Sequence, residues 1–146
     1  MSFADDYARL EEFLKADPDY ARIESEVSRL TTLCNETSQA VEDATRNYHK
    51  WMCCESALED KVFTLSDDGD LAFVFTHDLV AEYLSDGQEM FERMKRAELV
   101  KAGEASRLWL MADEDLEVAK VSYSKVRPAL VQAYRDKQAA DKEAAQ

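Results

Sequence analysis

One apolar repeat runs without interruption from Tyr20 to Leu65 and limits the possible folds of this chain more than any other feature. Its positions alternate in spacing between three and four residues, and among fourteen positions only Thr37 and Glu55 are not apolar. No glycine or further proline follows Pro18 in this stretch. Such a repeat is typical of a helix that packs against another helix along one seam, and it predicts a helix over residues 18–65.

Capping residues predict where the helices before and after this repeat begin and end. Ser2 can cap a first helix over residues 2–16, and Asp17-Pro18 favours a new start because Asp caps helices well and Pro suits the first helical position. Residues 66–70 predict a turn, in which Gly69 ends the preceding helix in the left-handed conformation.

The second half of the chain predicts helices over residues 71–125 and 127–138, separated by a kink or interruption at Pro128. Residues 139–146 are polar and predict a frayed tail, so that residues 1–138 form one helical domain.

Two irregularities lie within the predicted 71–125 helix. Asp86-Gly87-Gln88-Glu89 is similar to a capping box and could begin a new helix there. The apolar repeat also shifts by four residues within residues 98–105, around Gly103, which predicts a local unwinding of any supercoil.

The two halves have nearly equal lengths, which predicts an all-α fold with a long antiparallel helical hairpin of coiled-coil type. Centring the hairpin on the predicted turn places Trp51 near Leu84, Tyr20 near Leu116 and Phe13 opposite Tyr123. Aromatic and aliphatic residues outside the seam would then be exposed, and large apolar patches usually mark interfaces. We therefore expect a homodimer or a helical protein partner that completes a bundle, the alternative being a monomeric three- or four-helix bundle.

The residues expected in the core seam or interface share the apolar repeat of the two halves. They are Tyr20, Ile23, Val27, Leu30, Val41, Tyr48, Trp51, Leu58, Leu84, Phe91, Met94, Trp109, Leu116 and Tyr123. A run of acidic residues offers a possible face for a basic partner, formed by Asp113, Glu114, Asp115 and Glu117.

The formal net charge is −13, and residues 1–70 alone carry 17 acidic against 7 basic side chains. A surface with this excess repels nucleic acids and anionic lipids, so we expect no nucleic-acid partner and regard membrane binding as disfavoured. A basic protein surface is the more compatible partner.

The three cysteines, Cys34, Cys53 and Cys54, do not form a disulfide pattern and favour a reducing, cytoplasmic location. The N-terminal sequence lacks a secretory signal, and no apolar stretch is long enough to span a membrane. His49 and Cys53 have the spacing of two metal ligands on one helix face, but no further ligands complete a site, so we expect no metal or other cofactor.

No nucleophile motif, phosphate-binding loop or paired carboxylate arrangement is present, and the sequence predicts a protein that is not an enzyme. The first functional hypothesis is a structural or adaptor coiled coil that acts through protein–protein interaction. The second is an acidic chaperone or inhibitor that masks a basic protein surface. The hairpin topology also resembles BAR-type helical domains, which implies a membrane-remodelling dimer as a third hypothesis.

Overall fold

The computed structural model describes residues 2–66 and 74–146, and within them the protein contains four α-helices. These are α1 (Phe3–Ala16), α2 (Pro18–Glu59), α3 (His77–Asp86) and α4 (Glu89–Ala144). Two short strands, β1 (Thr64–Leu65) and β2 (Val74–Phe75), pair in parallel. The all-helical class predicted from the sequence is confirmed.

The chain divides into two compact units. Unit 1 comprises residues 1–34 and 110–146, and unit 2 comprises residues 35–109. Unit 1 therefore contains α1, the first part of α2 and the last part of α4. Unit 2 contains the remainder of α2 and α4 together with α3 and the two strands.

In unit 1, α1 and the start of α2 both pack against α4 in an antiparallel direction. As residue numbers rise from Asp6 through Phe13 to Tyr20, the numbers of their partners fall: Gln138, then Tyr134, then Tyr123. The buried side chains of this unit include Leu14, Tyr20, Ile23, Leu30, Ala112 and Leu116.

A single residue, Asp17, separates α1 from α2. Its backbone N–H donates to the Leu14 carbonyl at 3.1 Å, and its carboxylate accepts a hydrogen bond from the backbone N–H of Tyr20 at 3.0 Å. Asp17 thus closes one helix and caps the next, as the sequence predicts. Ser2 likewise caps α1 by accepting from the backbone N–H of Asp5.

Unit 2 has its own aromatic core beside the β1–β2 pair. Phe75, Phe91 and Met90 are fully buried, and Leu58 and Cys54 are buried beside them. The ring of Phe91 packs against Trp51 of α2 and Tyr83 of α3, and Phe63 meets Phe75 edge to face. α3 is therefore held to the two longer helices by burial of aromatic surface.

The end of α2 differs from the prediction. The helix stops at Glu59 and not at Leu65, because Lys61 adopts a left-handed conformation with a φ of 57°. The Lys61 N–H donates to the Leu58 carbonyl and the Val62 N–H donates to the Ala57 carbonyl, which is the Schellman arrangement of a helix C-terminus. The predicted turn residues 67–70, including Gly69, lie outside the described residues.

The predicted 71–125 helix is also wrong, because Gly87 separates α3 from α4. Gly87 has a φ of 62° and a ψ of −139° and caps the C-terminus of α3. The alternative, in which a new helix begins within residues 86–89, is what the structure has, since α4 begins at Glu89. Asp86 pairs with Arg93 at 3.2 Å.

Pro128 does not interrupt α4, which continues to Ala144 and includes most of the tail that was expected to fray. Pro128 lies on the exposed side of the helix. There, water can bind the Ser124 carbonyl that lacks its helical N–H donor.

The pairing predicted between the two halves is displaced. Trp51 packs on Phe91 and not near Leu84, and Tyr20 packs on Tyr123 and not near Leu116. Both displacements equal seven residues, which is one heptad. Phe13, expected opposite Tyr123, packs on Tyr134, eleven residues further along the chain. The reason is that the connection between α2 and α4 runs from residue 60 to residue 88, so its centre lies beyond the predicted turn.

Candidate functional site

The face of α4 that points away from its buried side carries a second row of positions in unit 1. These positions alternate in spacing between three and four residues and are all exposed. We call them the outer row: Met111, Glu114, Val118, Val121, Lys125 and Pro128. At 3.6 residues per turn they share one side of the helix, roughly opposite Leu116.

The centre of the outer row is apolar. Val118 is 69% exposed and Val121 is 52% exposed, and Leu110 and Met111 expose similar fractions at one end. Single exposed aliphatic residues are common, but four of them on one helix face form a patch of the kind that marks an interface.

A groove borders the same face between α2 and α4 of unit 1. Ile23, Leu30, Val118 and Ala119 contribute apolar walls, and the charged side chains at its rim are Arg22, Glu26 and Asp115. Its volume is about 320 Å³. Because Val118 belongs to both features, the groove and the outer row form a continuous surface.

Arg127 connects the three helical segments of unit 1 on the buried side of α4. Its guanidinium donates to the Tyr20 hydroxyl at 2.8 Å and to the Glu11 carboxylate at 3.2 Å. Burial is the main cause that raises the pKa of Tyr20 above its ordinary value, and the hydrogen bond with Tyr123 raises it further. This cluster keeps α1 and α2 against α4 and leaves the outer row unobstructed.

Charged side chains also enter the core side of unit 2. The Lys95 ammonium contacts Glu55 at 2.8 Å and Glu92 at 2.9 Å, and the hydrogen bonds with these two carboxylates raise the pKa of Lys95. Glu55, a polar position in the apolar repeat, is therefore paired across the two helices. Glu98 is buried, and its Oε2 has no hydrogen-bond partner within the described structure.

Most residues predicted for the seam are at least partly buried. Tyr20, Ile23, Leu30, Leu58, Phe91 and Leu116 are buried, whereas Val27, Val41, Tyr48, Trp51, Met94, Trp109 and Tyr123 are partly buried. Leu84 is 77% exposed, so its assignment to the seam is wrong. Because the helix breaks at Gly87, α3 no longer follows the repeat of α4 and packs through Leu79, Val80 and Tyr83.

The residues of the predicted acidic face differ in their surroundings on α4. Asp115 lies at the rim of the groove, Glu114 belongs to the outer row, and Glu117 lies 3.8 Å from Lys120. Asp113 is partly buried. At 3.6 residues per turn Asp113, Glu114 and Glu117 are neighbours on one side of the helix and Asp115 lies apart from them, so the acidic face stays a prediction.

The cysteines differ in their surroundings. Cys34 and Cys54 are buried, and Cys53 is exposed. Burial raises the pKa of the Cys54 thiol, which favours its protonated form. Among the described residues, no group of three or more His, Cys, Asp or Glu side chains is arranged to hold a metal ion.

In the part of the chain that the structure describes, no helix has the length and apolar character needed to cross a membrane. Comparison of the chain with protein-family models, curated proteins and solved structures finds no match.

The repeat predicted for the seam passes through Trp109, Leu116 and Tyr123 and does not include the outer row. The signal was present as a second three-and-four spacing from Met111 to Pro128. It was obscured because two of its six positions are charged, and because Val118 and Val121 flank the buried positions of the first repeat.

Proposed function

We propose that the protein is a non-enzymatic helical interaction module that binds other proteins through the exposed side of α4 in unit 1. One observation carries this proposal: Leu110, Met111, Val118 and Val121 are exposed together on a helix whose opposite side is already buried. Burying this apolar surface against a second helix would release it from water and favour association. In this proposal the protein acts as an adaptor, and the two halves of its chain pair as a coiled-coil hairpin.

The proposal is tested by exchanging apolar for charged side chains on this surface. The tagged full chain and its Val118→Glu/Val121→Glu variant are purified from the cells that make the protein, and the accompanying proteins are identified by mass spectrometry. Leu84→Glu is the control, because Leu84 is also an exposed aliphatic residue but lies on α3. We expect the double variant alone to lose its partners, and an unchanged set of partners would contradict the proposal.

A second candidate function is an acidic chaperone or inhibitor that masks a basic protein surface. It is favoured by the net charge of −13 and by the acidic excess of residues 1–70. Binding of this kind should weaken strongly as salt is raised, since exposed charges are screened. Binding that does not depend on salt would instead support the proposal that partners bind through the apolar surface of α4.

A further inference from the structure

We propose that the outer row of α4 pairs with the outer row of a second copy in an antiparallel direction, through a two-fold axis between Val118 and Val121. This inference rests on the proposed function and names one partner for the same surface. Its basis is that the six positions match their own reversed order in spacing and complement it in charge.

The spacing of the outer row is three, four, three, four and three residues, which reads the same in both directions. When two such helices lie antiparallel, Val118 of each copy meets Val121 of the other at the centre. Met111 of each copy then lies opposite Pro128 of the other at the ends. The pairing therefore buries aliphatic side chains on both sides of the axis at the alternating spacing that helix packing requires.

The charges of the row fit only the antiparallel direction. Glu114 of one copy lies opposite Lys125 of the other, so two opposite-charge pairs flank the apolar centre. A parallel pairing would place Glu114 against Glu114 and Lys125 against Lys125, which is repulsive. In the described structure neither of these two side chains forms an ion pair within its own chain, so both are available to a second copy.

The local charge also permits two copies to approach. Between positions 111 and 128 there are four acidic and three basic side chains, a net charge of −1, whereas the whole chain carries −13. The acidic residues 1–70, with 17 acidic against 7 basic side chains, would repel the same segment of a second copy more strongly. The outer row thus combines exposed aliphatic surface with nearly balanced charge.

Charge exchange tests the pairing in the full chain by sedimentation equilibrium over the micromolar range. Glu114→Lys and Lys125→Glu should each weaken the dimer by on the order of tenfold, because each replaces two opposite-charge pairs by two like-charge pairs. The combination of both substitutions should restore the affinity of the unsubstituted chain. Lys120→Glu, a matched change on another side of the same helix, should leave it unaltered.

Val118→Glu/Val121→Glu should be monomeric throughout, and circular dichroism should show native helix content in every variant because all these positions are exposed. A wild-type chain that stays monomeric would overturn the self-pairing, as would a double exchange that binds no more tightly than the single variants. The proposed function is judged separately by the proteins that accompany the chain from cells. If the wild type is monomeric but Val118→Glu/Val121→Glu loses those proteins, the proposed function is retained and the partner of this surface is another protein.

Discussion

Replacing each of two glycines in unit 2 by alanine should change stability in opposite directions. Gly103 lies inside α4, and a Cβ placed on it meets nothing within 4 Å. Alanine there reduces the conformational freedom of the unfolded chain without a clash, so Gly103→Ala should raise the free energy of unfolding by about 1 kcal/mol.

Gly87 also has open space around its Cβ position, so only its backbone conformation resists substitution. A φ of 62° with a ψ of −139° belongs to a region that is essentially restricted to glycine. Gly87→Ala should therefore lower the free energy of unfolding by about 1–3 kcal/mol.

Urea unfolding followed by circular dichroism at the helix band measures both changes, and because both residues lie in unit 2, each variant is a control for the other. The two variants should differ by about 2–4 kcal/mol when the separate effects add. An unchanged midpoint for Gly87→Ala would refute the separation of α3 from α4 at this residue. A destabilised Gly103→Ala would show that position 103 is crowded.

Four further predictions concern the ends, the core and the hydrogen bonds of the fold. Lys61→Gly should raise the free energy of unfolding by about 1 kcal/mol by relieving the left-handed conformation, whereas Lys61→Ala should not, as urea titrations can show. The contribution of Tyr20 to the free energy of unfolding should be complete below about pH 10 and should decrease above it. The reason is that the unfolded chain loses the phenolic proton of Tyr20 above this pH, whereas the folded chain, in which the pKa of Tyr20 is raised, retains it. Thermal melts of Tyr20→Phe should show a weaker decrease of stability at alkaline pH. Phe91→Ala should cost about 3–5 kcal/mol, and Leu84→Ser should change stability by less than about 0.5 kcal/mol; equal losses would contradict the exposed placement of Leu84. Glu98→Leu should raise the free energy of unfolding by about 1 kcal/mol, because removing the buried Oε2, which has no hydrogen-bond partner in the described structure, outweighs losing the contact of Oε1 with the exposed Lys101 at 3.3 Å; a loss of stability would contradict this balance.

The apolar repeat identified which faces of α2 and α4 are buried, but it could not identify which heptads meet. An apolar seam is nearly unchanged when one helix slides by seven residues, and the observed displacement of Tyr20 and Trp51 has this size. Polar contacts such as Arg127 to Tyr20 and Lys95 to Glu55 distinguish one alignment from the next. Their partners cannot be assigned until the length of the connection is known.

The helix ends were predictable where a common capping residue occurs and not where an uncommon one does. Ser2 and Asp17 act as caps in the expected way. The left-handed Lys61 ends α2, although lysine rarely adopts this conformation, so the residue type did not indicate that the helix ends there. The error at Leu84 followed from Gly87, because a break at that glycine releases α3 from the repeat of α4.

The outer row could be predicted from the sequence, but its exposure to solvent could not. A second spacing of three and four residues is visible in the sequence, yet whether it faces solvent depends on how many helices surround α4. Only the packing of α1 and α2 on one side of α4 shows that Val118 and Val121 are left exposed.

The division of the chain has a consequence during synthesis. Unit 1 joins residues 1–34 to residues 110–146, and the hydroxyl groups of Tyr20 and Tyr123 meet across a separation of 103 residues. At about 5–20 residues per second, the ribosome needs roughly 5–20 s to make that intervening stretch. During this interval the apolar side of the first helices lacks its partner on α4, whereas unit 2 is contiguous in sequence and is complete once residue 109 has been made. The N-terminal segment is therefore the part of the nascent chain most in need of a chaperone.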